Sequence, residues 1–305
     1  MNAALSTPTI SPDMGQETPC RPDNRPTVSV VIPALNEAES LPHVLPRIPD
    51  EWVDEVLLVD GRSEDNTVDV ACSVRHKTRV VMQHGKGKGA AIRSGFAAAR
   101  GDIVITMDAD GSMDPAEIPA FVGALVSGAD FAKGSRFLQG GGTDDMPFHR
   151  RLPNKGLTIL ANLIASTQYT DITYGYNATW RRHAGALGLD IDGWANEIIT
   201  NLRAARSGLR VVEVASFERE RVAGEAKLMA LSAGWTILKA MLQEPFAKGH
   251  RGQIEGEVTE ESILRLGEDE PQTLVAWECD QLADSDDVSA KSNGHSTSRE
   301  IELNR

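Results

Sequence analysis

The stretch that decides the fold is Ile103–Ser112, IVITMDADGS, in which an apolar run leads directly into two carboxylates. The apolar run predicts a buried strand, and the following Asp114-Pro115 pair predicts the start of a helix. Asp108 and Asp110 therefore belong to the turn at the carboxyl end of a strand, where open α/β sheets bind ligands. Two carboxylates aimed at one point repel unless a cation lies between them. This favours a Mg²⁺ or Mn²⁺ site, with a solvated acidic turn as the alternative.

Further strands surround this one along the chain. They are predicted at Val28–Pro33, Glu55–Asp60, Arg79–Gln83, Asp130–Phe137 and Leu209–Val214. Helix signals alternate with them at the spacing of βαβ units. The predicted fold class is therefore α/β, with a mainly parallel sheet flanked by helices.

A glycine-rich segment, His84–Gly89, precedes one of the predicted helices. Lysines and backbone amides at a helix start could hold phosphate. No Ser or Thr follows its Gly-Lys pairs, which argues against a Walker A loop. For Lys88, a contact with a diphosphate and a plain turn entering the helix both remain open.

The order of several motifs resembles the family 2 glycosyltransferases of the GT-A fold, and most of all their dolichol- or polyprenyl-phosphate mannose synthase branch. The motifs are VIPALNE, LVDGRSEDNT, GKG, GFAAARGD, MDAD and GSRF, and the resemblance runs from about Val28 to Phe246. Each motif is weak alone, but their joint occurrence in this order is specific. The resemblance implies a Rossmann-like single domain that binds a nucleotide sugar.

The resemblance also implies roles for individual residues. Asp110, Arg136 and Glu197 are expected at the catalytic centre, although the charge of Glu197 also suits a helix start. Asp108, Asp110 and Ser112 are expected to hold Mg²⁺ or Mn²⁺, and Arg151 to contact an acceptor phosphate. The expected nucleotide-sugar contacts are Pro33, Leu35, Asn36, Glu37, Asp60, Lys88, Asp108, Ala109, Asp110, Arg136, Arg221 and Lys227.

Three positions depart from the family pattern. Asp60-Gly61-Arg62-Ser63 replaces the common Asp-Asp-Gly-Ser, so one carboxylate is absent. Ala226 replaces a serine, and Ser112 stands where a glutamine is common. The nucleotide base is therefore not readable, and GDP-mannose and UDP-sugars both remain as donors.

The expected activity is metal-dependent, inverting transfer of a hexose from a nucleotide diphosphate sugar to a polyprenyl phosphate. An acceptor phosphate is already anionic near neutral pH, whereas a hydroxyl acceptor needs a general base. A glycosyltransferase acting on a sugar or natural-product hydroxyl in cell-envelope or secondary metabolism is the alternative. A non-catalytic nucleotide-sugar-binding protein is a third hypothesis, since fold does not fix function.

Composition sets the expected domain boundaries. Residues 1–26 and 247–305 are predicted to be disordered tails around a glycosyltransferase domain at 27–246, and the second tail is strongly acidic. The net charge of −13 and the lack of a basic stripe argue against nucleic acid as a partner.

The cysteines are scattered along the chain, at Cys20, Cys72 and Cys279. This spacing predicts no disulfide and a reducing cytosol.

The sequence shows neither a signal peptide nor an apolar run of the roughly 20 residues needed to span a bilayer. We therefore expect a cytoplasmic protein without a transmembrane segment, with peripheral attachment to the inner face of the membrane as a further option. One late helix shows an apolar face, for which burial in the core is favoured over a membrane surface. Its residues are Leu228, Leu231, Trp235, Leu238 and Leu242.

Overall fold

Strands and helices alternate along the chain in the computed structural model, which describes residues 25–223, 230–244 and 274–280. The strands are β1 (Val28–Ala34), β2 (Glu55–Asp60), β3 (Thr78–Met82), β4 (Ile103–Thr106), β5 (Phe131–Ser135), β6 (Gly142–Thr143), β7 (Asn177–Trp180), β8 (Val211–Ala215), β9 (Phe217–Glu218) and β10 (Ala276–Glu278). The helices are α1 (Leu41–Val44), α2 (Thr67–Val74), α3 (Lys88–Ala98), α4 (Ile118–Val126), α5 (Phe148–Ala165), α6 (Ala184–Leu187), α7 (Asn196–Arg206) and α8 (Ala230–Gln243).

Eight of these strands form one sheet in the order β10-β3-β2-β1-β4-β7-β5-β8. The pairs β1/β2, β1/β4, β2/β3 and β5/β8 are parallel, whereas β7 runs antiparallel to β4 and β5. β6 and β9 form a separate short parallel pair. The predicted fold class is confirmed: a mainly parallel α/β sheet flanked by helices.

The sheet is buried on both faces, as a parallel sheet requires. In β1, Val28, Val30 and Ile32 pack on one side, while Val31 packs on the other. This alternation explains why β1 reads as an almost continuous apolar run. The turn after β4 leads into a 3-10 turn at Pro115–Glu117, where Asp114 accepts a capping hydrogen bond from the N–H of Ala116 at 3.1 Å.

A third apolar cluster lies where α5 and α8 pack on α7. Ile237 and Met241 are the buried residues of α8, while Trp235 and Leu242 point outward. The prediction that Trp235 and Leu242 belong to a core face was therefore wrong for these two residues. Leu228 lies outside the described residues. None of the described helices is both long and apolar enough to cross a bilayer.

The C-terminal segment contributes the edge strand of the sheet. β10 pairs antiparallel with β3, joining Trp277 to Val80. Cys279 follows this strand and forms a disulfide with Cys72 of α2. One expectation was therefore wrong, because Cys72 and Cys279 are paired. β10 lies beyond residue 246, where the predicted domain ends. Sequence spacing could not reveal this pair, because the two cysteines meet only once β10 is added beside β3.

Candidate active site

The carboxyl ends of β1, β2 and β4 meet at one edge of the sheet, because these strands are parallel neighbours. The predicted residues that follow β1 and β4 gather there. Pro33 lies within β1 opposite Val59, and Leu35 lies half exposed just beyond the strand. Ala109 is buried in the turn after β4.

The loops after β1 and β2 are tied to each other. The Asn36 side-chain oxygen accepts a hydrogen bond from the N–H of Glu64 at 2.8 Å, and the Asn36 N–H donates to the hydroxyl of Ser63 at 2.9 Å. Asn36 and Arg62 both adopt positive φ, at 54° and 67°. Such a conformation is uncommon for residues other than glycine and is held here by these cross-loop hydrogen bonds.

Asp60 and Glu37 mainly shape these loops. The Asp60 carboxylate accepts hydrogen bonds from the N–H of Arg62 at 3.0 Å and from the N–H and hydroxyl of Ser63 at 3.1 and 2.6 Å. Glu37 donates its N–H to Thr67 and accepts from the Ser40 hydroxyl. The carboxylate of Asp60 is thus engaged by its own turn. Its role in base or ribose recognition remains a prediction.

Lys88 forms the centre of the site. It is the first residue of α3, and its ammonium lies 2.5 Å from Asp108 Oδ1 and also contacts the carboxylate of Glu197. Glu197 comes from the first turn of α7. The structure thus brings together three predicted residues that come from α3, the turn after β4 and α7.

The charges of this cluster influence one another. Burial alone would lower the pKa of Lys88, but Asp108 and Glu197 outweigh that effect and raise its pKa. Burial raises the pKa of Asp108 to about 6; the nearby carboxylates of Glu197 and Asp110 act in the same direction, and Lys88 opposes them. Asp108 therefore lies in an environment with an excess of negative charge, which an additional cation would relieve.

Asp110 lies on the other side of the turn, beneath the segment that follows β9. The N–H of Val222 donates to the backbone oxygen of Asp110 at 2.9 Å, and the N–H of Arg219 donates to that of Ser112 at 2.8 Å. Arg221 reaches Asp110 at 3.7 Å and Asp145 at 2.7 Å. Arg221 therefore lies beside Asp110, and its contact with a nucleotide sugar stays a prediction. Lys227 lies outside the described residues.

Two carboxylates suit a small oxygen-seeking cation. Mg²⁺ in proteins is often held by one or two carboxylates, with substrate phosphates and waters completing its shell. Within the described ranges, no cluster of three or more His, Cys, Asp or Glu side chains is arranged to hold a metal ion. Asp108 and Asp110 fit a metal ion whose other ligands would be oxygens of a nucleotide diphosphate and water. Ser112 is buried and donates its N–H to Asp110 Oδ1 at 3.0 Å.

Arg136 has a different environment from the one expected. All three of its guanidinium nitrogens have partners. Nε and one terminal nitrogen donate to Asp171, that same terminal nitrogen also donates to Thr173, and the other terminal nitrogen lies 3.0 Å from both carboxylate oxygens of Glu218. Burial would raise the pKa of Asp171, but Arg136 outweighs it and lowers the pKa to about 2. In this structure every guanidinium nitrogen of Arg136 is engaged by Asp171, Thr173 or Glu218, and its contact with a donor diphosphate stays a prediction.

Arg151 lies in the first turn of α5, which begins at Phe148. The glycine-rich stretch Gln139–Gly142 and the residues after it predict a mobile loop up to Arg151, but α5 already includes Arg151. The side chain of Arg151 is exposed and donates from Nε to the backbone oxygen of Met146 at 3.3 Å. Its terminal nitrogens therefore remain at the surface near the start of the helix.

The glycine-rich turn fixes the position of Lys88. Gly87 has a φ of 91°, and a Cβ there would lie 2.5 Å from the backbone oxygen of Asp192. Gly89 donates its N–H to that oxygen at 2.8 Å, and a Cβ on Gly89 would lie 1.8 Å from the backbone oxygen of Ile191. These glycines therefore let the turn close onto the loop before α7. Neither interpretation of Lys88, as a plain turn residue or as a phosphate contact, included this packing of the turn against Ile191 and Asp192.

Comparison with known proteins identifies the family. The model of the family described as Glycosyl transferase family 2 matches residues 29–187, about half of the chain. This chain belongs to glycosyl transferase family 2. The sequence-based prediction of a family 2 glycosyltransferase is thereby confirmed.

Several curated family members transfer mannose to lipid phosphates, as their names state. The dolichol-phosphate mannosyltransferase of Pyrococcus furiosus is 34% identical over 210 residues, covering 66% of this chain and 59% of that protein. The chain thus spans somewhat more than half the length of that relative. The polyprenol monophosphomannose synthase of Mycolicibacterium smegmatis is 33% identical over 233 residues, covering 72% of this chain and 86% of that protein.

Solved structures of another glycosyltransferase share the fold. The glucosyl-3-phosphoglycerate synthase of Mycobacterium tuberculosis is 26% identical with a TM-score of 0.57, covering 72% of this chain and 80% of that one. A complex of that enzyme with Mn²⁺, UDP-glucose and phosphoglyceric acid has 27% identity and a TM-score of 0.55, with coverage of 72% and 79%. These relatives therefore use two different kinds of phosphorylated acceptor.

Proposed function

We propose that this glycosyltransferase moves a hexose, with inversion, from GDP-mannose or a UDP-sugar to a polyprenyl phosphate at a membrane surface. The curated relatives named above support a lipid phosphate as the acceptor. The structural relatives support a divalent metal and a nucleotide sugar as cofactor and donor.

The observation that carries this proposal is the outward surface of α5 and α8. Neither helix contains an Asp or Glu, although the whole chain has a net charge of −13. Phe148 is 86% exposed and Trp235 is 71% exposed. The exposed apolar residues on these helices are Phe148, Leu152, Ile159, Leu163, Trp235 and Leu242. The exposed cations are Arg151 and Lys155 on α5 and Lys239 on α8.

Apolar side chains accompanied only by positive charge are typical of helices that lie in a membrane interface. Both helices pack on α7, whose first turn carries Glu197. Arg151 lies where the apolar face of α5 begins, and a guanidinium suits a phosphate. A phosphate attached to a lipid would therefore meet Arg151 while its hydrocarbon chain remains in the bilayer.

The residues of the site have distinct tasks in this proposal. Asp108 and Asp110 hold Mg²⁺ or Mn²⁺, which neutralises charge on the leaving diphosphate when it is bound. Arg221 adds positive charge beside Asp110. Lys88 and Glu197 stay paired and position the turn. An acceptor phosphate is already anionic near neutral pH, so transfer to it needs no strong general base.

The test measures transfer of labelled hexose from GDP-mannose and from UDP-glucose, with Mn²⁺ or Mg²⁺. The acceptors are polyprenyl phosphate in liposomes, phosphoglyceric acid, and water alone. We expect labelled product in the organic phase only with the lipid acceptor. Transfer to phosphoglyceric acid without lipid product would refute the acceptor assignment. Nucleotide-sugar binding without any turnover would instead favour a non-catalytic protein.

A further inference from the structure

Trp194 is the aromatic residue placed beside the Lys88 cluster. It lies in the short loop between α6 and α7, two residues before the first turn of α7, and its indole is 44% exposed. The Lys88 ammonium lies 5.9 Å from the centre of the indole ring. That ammonium in turn contacts Asp108 and Glu197. The ring is thus one side chain away from the carboxylates of the site.

The loop that carries Trp194 is held firmly by its neighbours. Its Asp192 oxygen accepts the N–H of Gly89, and the Asp192 carboxylate lies 2.7 Å from the buried guanidinium of Arg93. Ala195 and Asn196, which follow the tryptophan, are buried. The backbone is therefore anchored on both sides of Trp194, while the indole itself remains partly in water.

The indole of Trp194 keeps part of its apolar surface in water, and burying that surface against a ligand is favourable. An anchored loop that presents such a ring next to charged groups is suited to cover the apolar face of a ligand. Aromatic rings with a few placed polar groups are typical of small-molecule sites. Trp194 differs in this respect from the exposed apolar residues of α5 and α8, which lie on helix surfaces.

The position of Trp194 distinguishes between the parts of a nucleotide sugar. β1 lies between β2 and β4, so the loops after β2 and β4 are separated by two strand spacings, about 10 Å. With the diphosphate at Asp108 and Asp110, and the base or ribose at Asp60 as the sequence predicts, the nucleoside would extend toward the loops after β1 and β2. Lys88, Glu197 and Trp194 then remain for the sugar end of the donor.

We infer that Trp194 stacks on the transferred hexose and thereby positions it for transfer. This inference rests on the proposed function, because it requires a nucleotide-sugar donor at the carboxylate pair. The C–H face of a hexose ring is apolar and flat enough to cover an indole, whereas its hydroxyls remain available for hydrogen bonds. Trp194 is accordingly a specificity-determining residue, and Lys88 remains the partner of the two carboxylates.

The test compares nucleotide sugars with the same nucleotides lacking the sugar, by isothermal titration calorimetry with Mn²⁺. The probes are UDP-glucose, GDP-mannose, UDP and GDP, and the proteins are the full chain, Trp194→Ala and Trp194→Phe. Loss of stacking in Trp194→Ala should raise the dissociation constant of the bound nucleotide sugar about tenfold. The dissociation constant of the matching nucleotide should change by less than about twofold. Trp194→Phe, which keeps an aromatic face, should recover most of the loss.

Each other result overturns the inference. Equal weakening of nucleotide and nucleotide sugar would place Trp194 at the base or diphosphate. Unchanged binding of both would make it a surface residue, and the proposed function would stand. If the unaltered protein bound nucleotides but no nucleotide sugar, the proposed function would fail together with the inference.

Discussion

Replacing Arg136 by glutamine separates a structural role from a ligand-binding role. The substitution keeps a polar side chain but removes the charge that faces Asp171 and Glu218. Both carboxylates are buried or nearly so. Removing one partner of a buried ion pair typically costs about 3–5 kcal/mol, because the remaining charge stays buried without compensation.

The magnitude is consistent with the pKa of Asp171. Its partners lower this pKa from 3.8 to about 2, which corresponds to about 2 kcal/mol of stability at neutral pH. Glu218 adds to this loss, since it also loses its bonds to Arg136. We therefore expect Arg136→Gln to lower the free energy of unfolding by about 3–5 kcal/mol, measured by urea denaturation at pH 7.

The pH dependence provides a second, independent measurement. A carboxyl whose folded pKa is depressed contributes stability above its unfolded pKa and loses it as the pH falls through the folded pKa. The unaltered protein should therefore lose this contribution between about pH 4 and pH 2, and Arg136→Gln should lose less. As a control, Arg100→Gln removes an exposed arginine 3.5 Å from Glu278 and should cost less than about 1 kcal/mol. Unchanged stability in Arg136→Gln, accompanied by weaker nucleotide binding, would refute this reasoning and restore the diphosphate role.

Four further predictions address the metal, the acceptor, the disulfide and the membrane surface. Asp110→Asn should reduce transfer by orders of magnitude while the urea midpoint is unchanged, and full turnover in excess chelator would contradict the metal site. Arg151→Lys should slow transfer to polyprenyl phosphate about tenfold to a hundredfold without changing donor affinity, because a bidentate phosphate contact is lost. Equal transfer rates for Arg151→Lys and the unaltered protein would show that Arg151 does not bind the acceptor. Cys279→Ser should lower the free energy of unfolding by about 2–5 kcal/mol, and a reductant should then destabilise only the unaltered protein. Leu152→Ser should weaken flotation with anionic liposomes. Val126→Ser changes an exposed residue of α4 and should leave flotation unchanged. Equal flotation of both variants would show that the α5 surface does not bind the membrane.

The sequence predicts the inner strands β1, β2 and β4 well because each is a short apolar run bounded by turn residues. Glu55–Asp60 and Ile103–Thr106 match the observed strands β2 and β4. The meeting of Lys88 with Asp108 was not predicted, although both were named as donor contacts. Their contact depends on how α3 and β4 pack, which no local pattern encodes.

Other features depend on contacts between distant segments. Arg136 matched a family motif, but its partners Asp171 and Glu218 are far apart in sequence and only the fold brings them to it. Likewise, α5 was missed because its outward face is apolar where a surface helix is usually polar. β10 is a three-residue strand in an acidic region, too short to be recognised without its partner.

The bond between Cys72 and Cys279 closes residues 72–279 of the chain into a covalent ring. The two cysteines are 207 positions apart, and the enclosed chain includes Asp108, Asp110 and Glu197. One break in the backbone inside this ring, including any in segment 245–273, leaves a single covalent molecule until the disulfide is reduced. Asp108, Asp110 and Glu197 are therefore linked to β1 and β2 in two ways. One link is the backbone that leads back to Cys72, and the other is the backbone that leads on to Cys279 and through the disulfide.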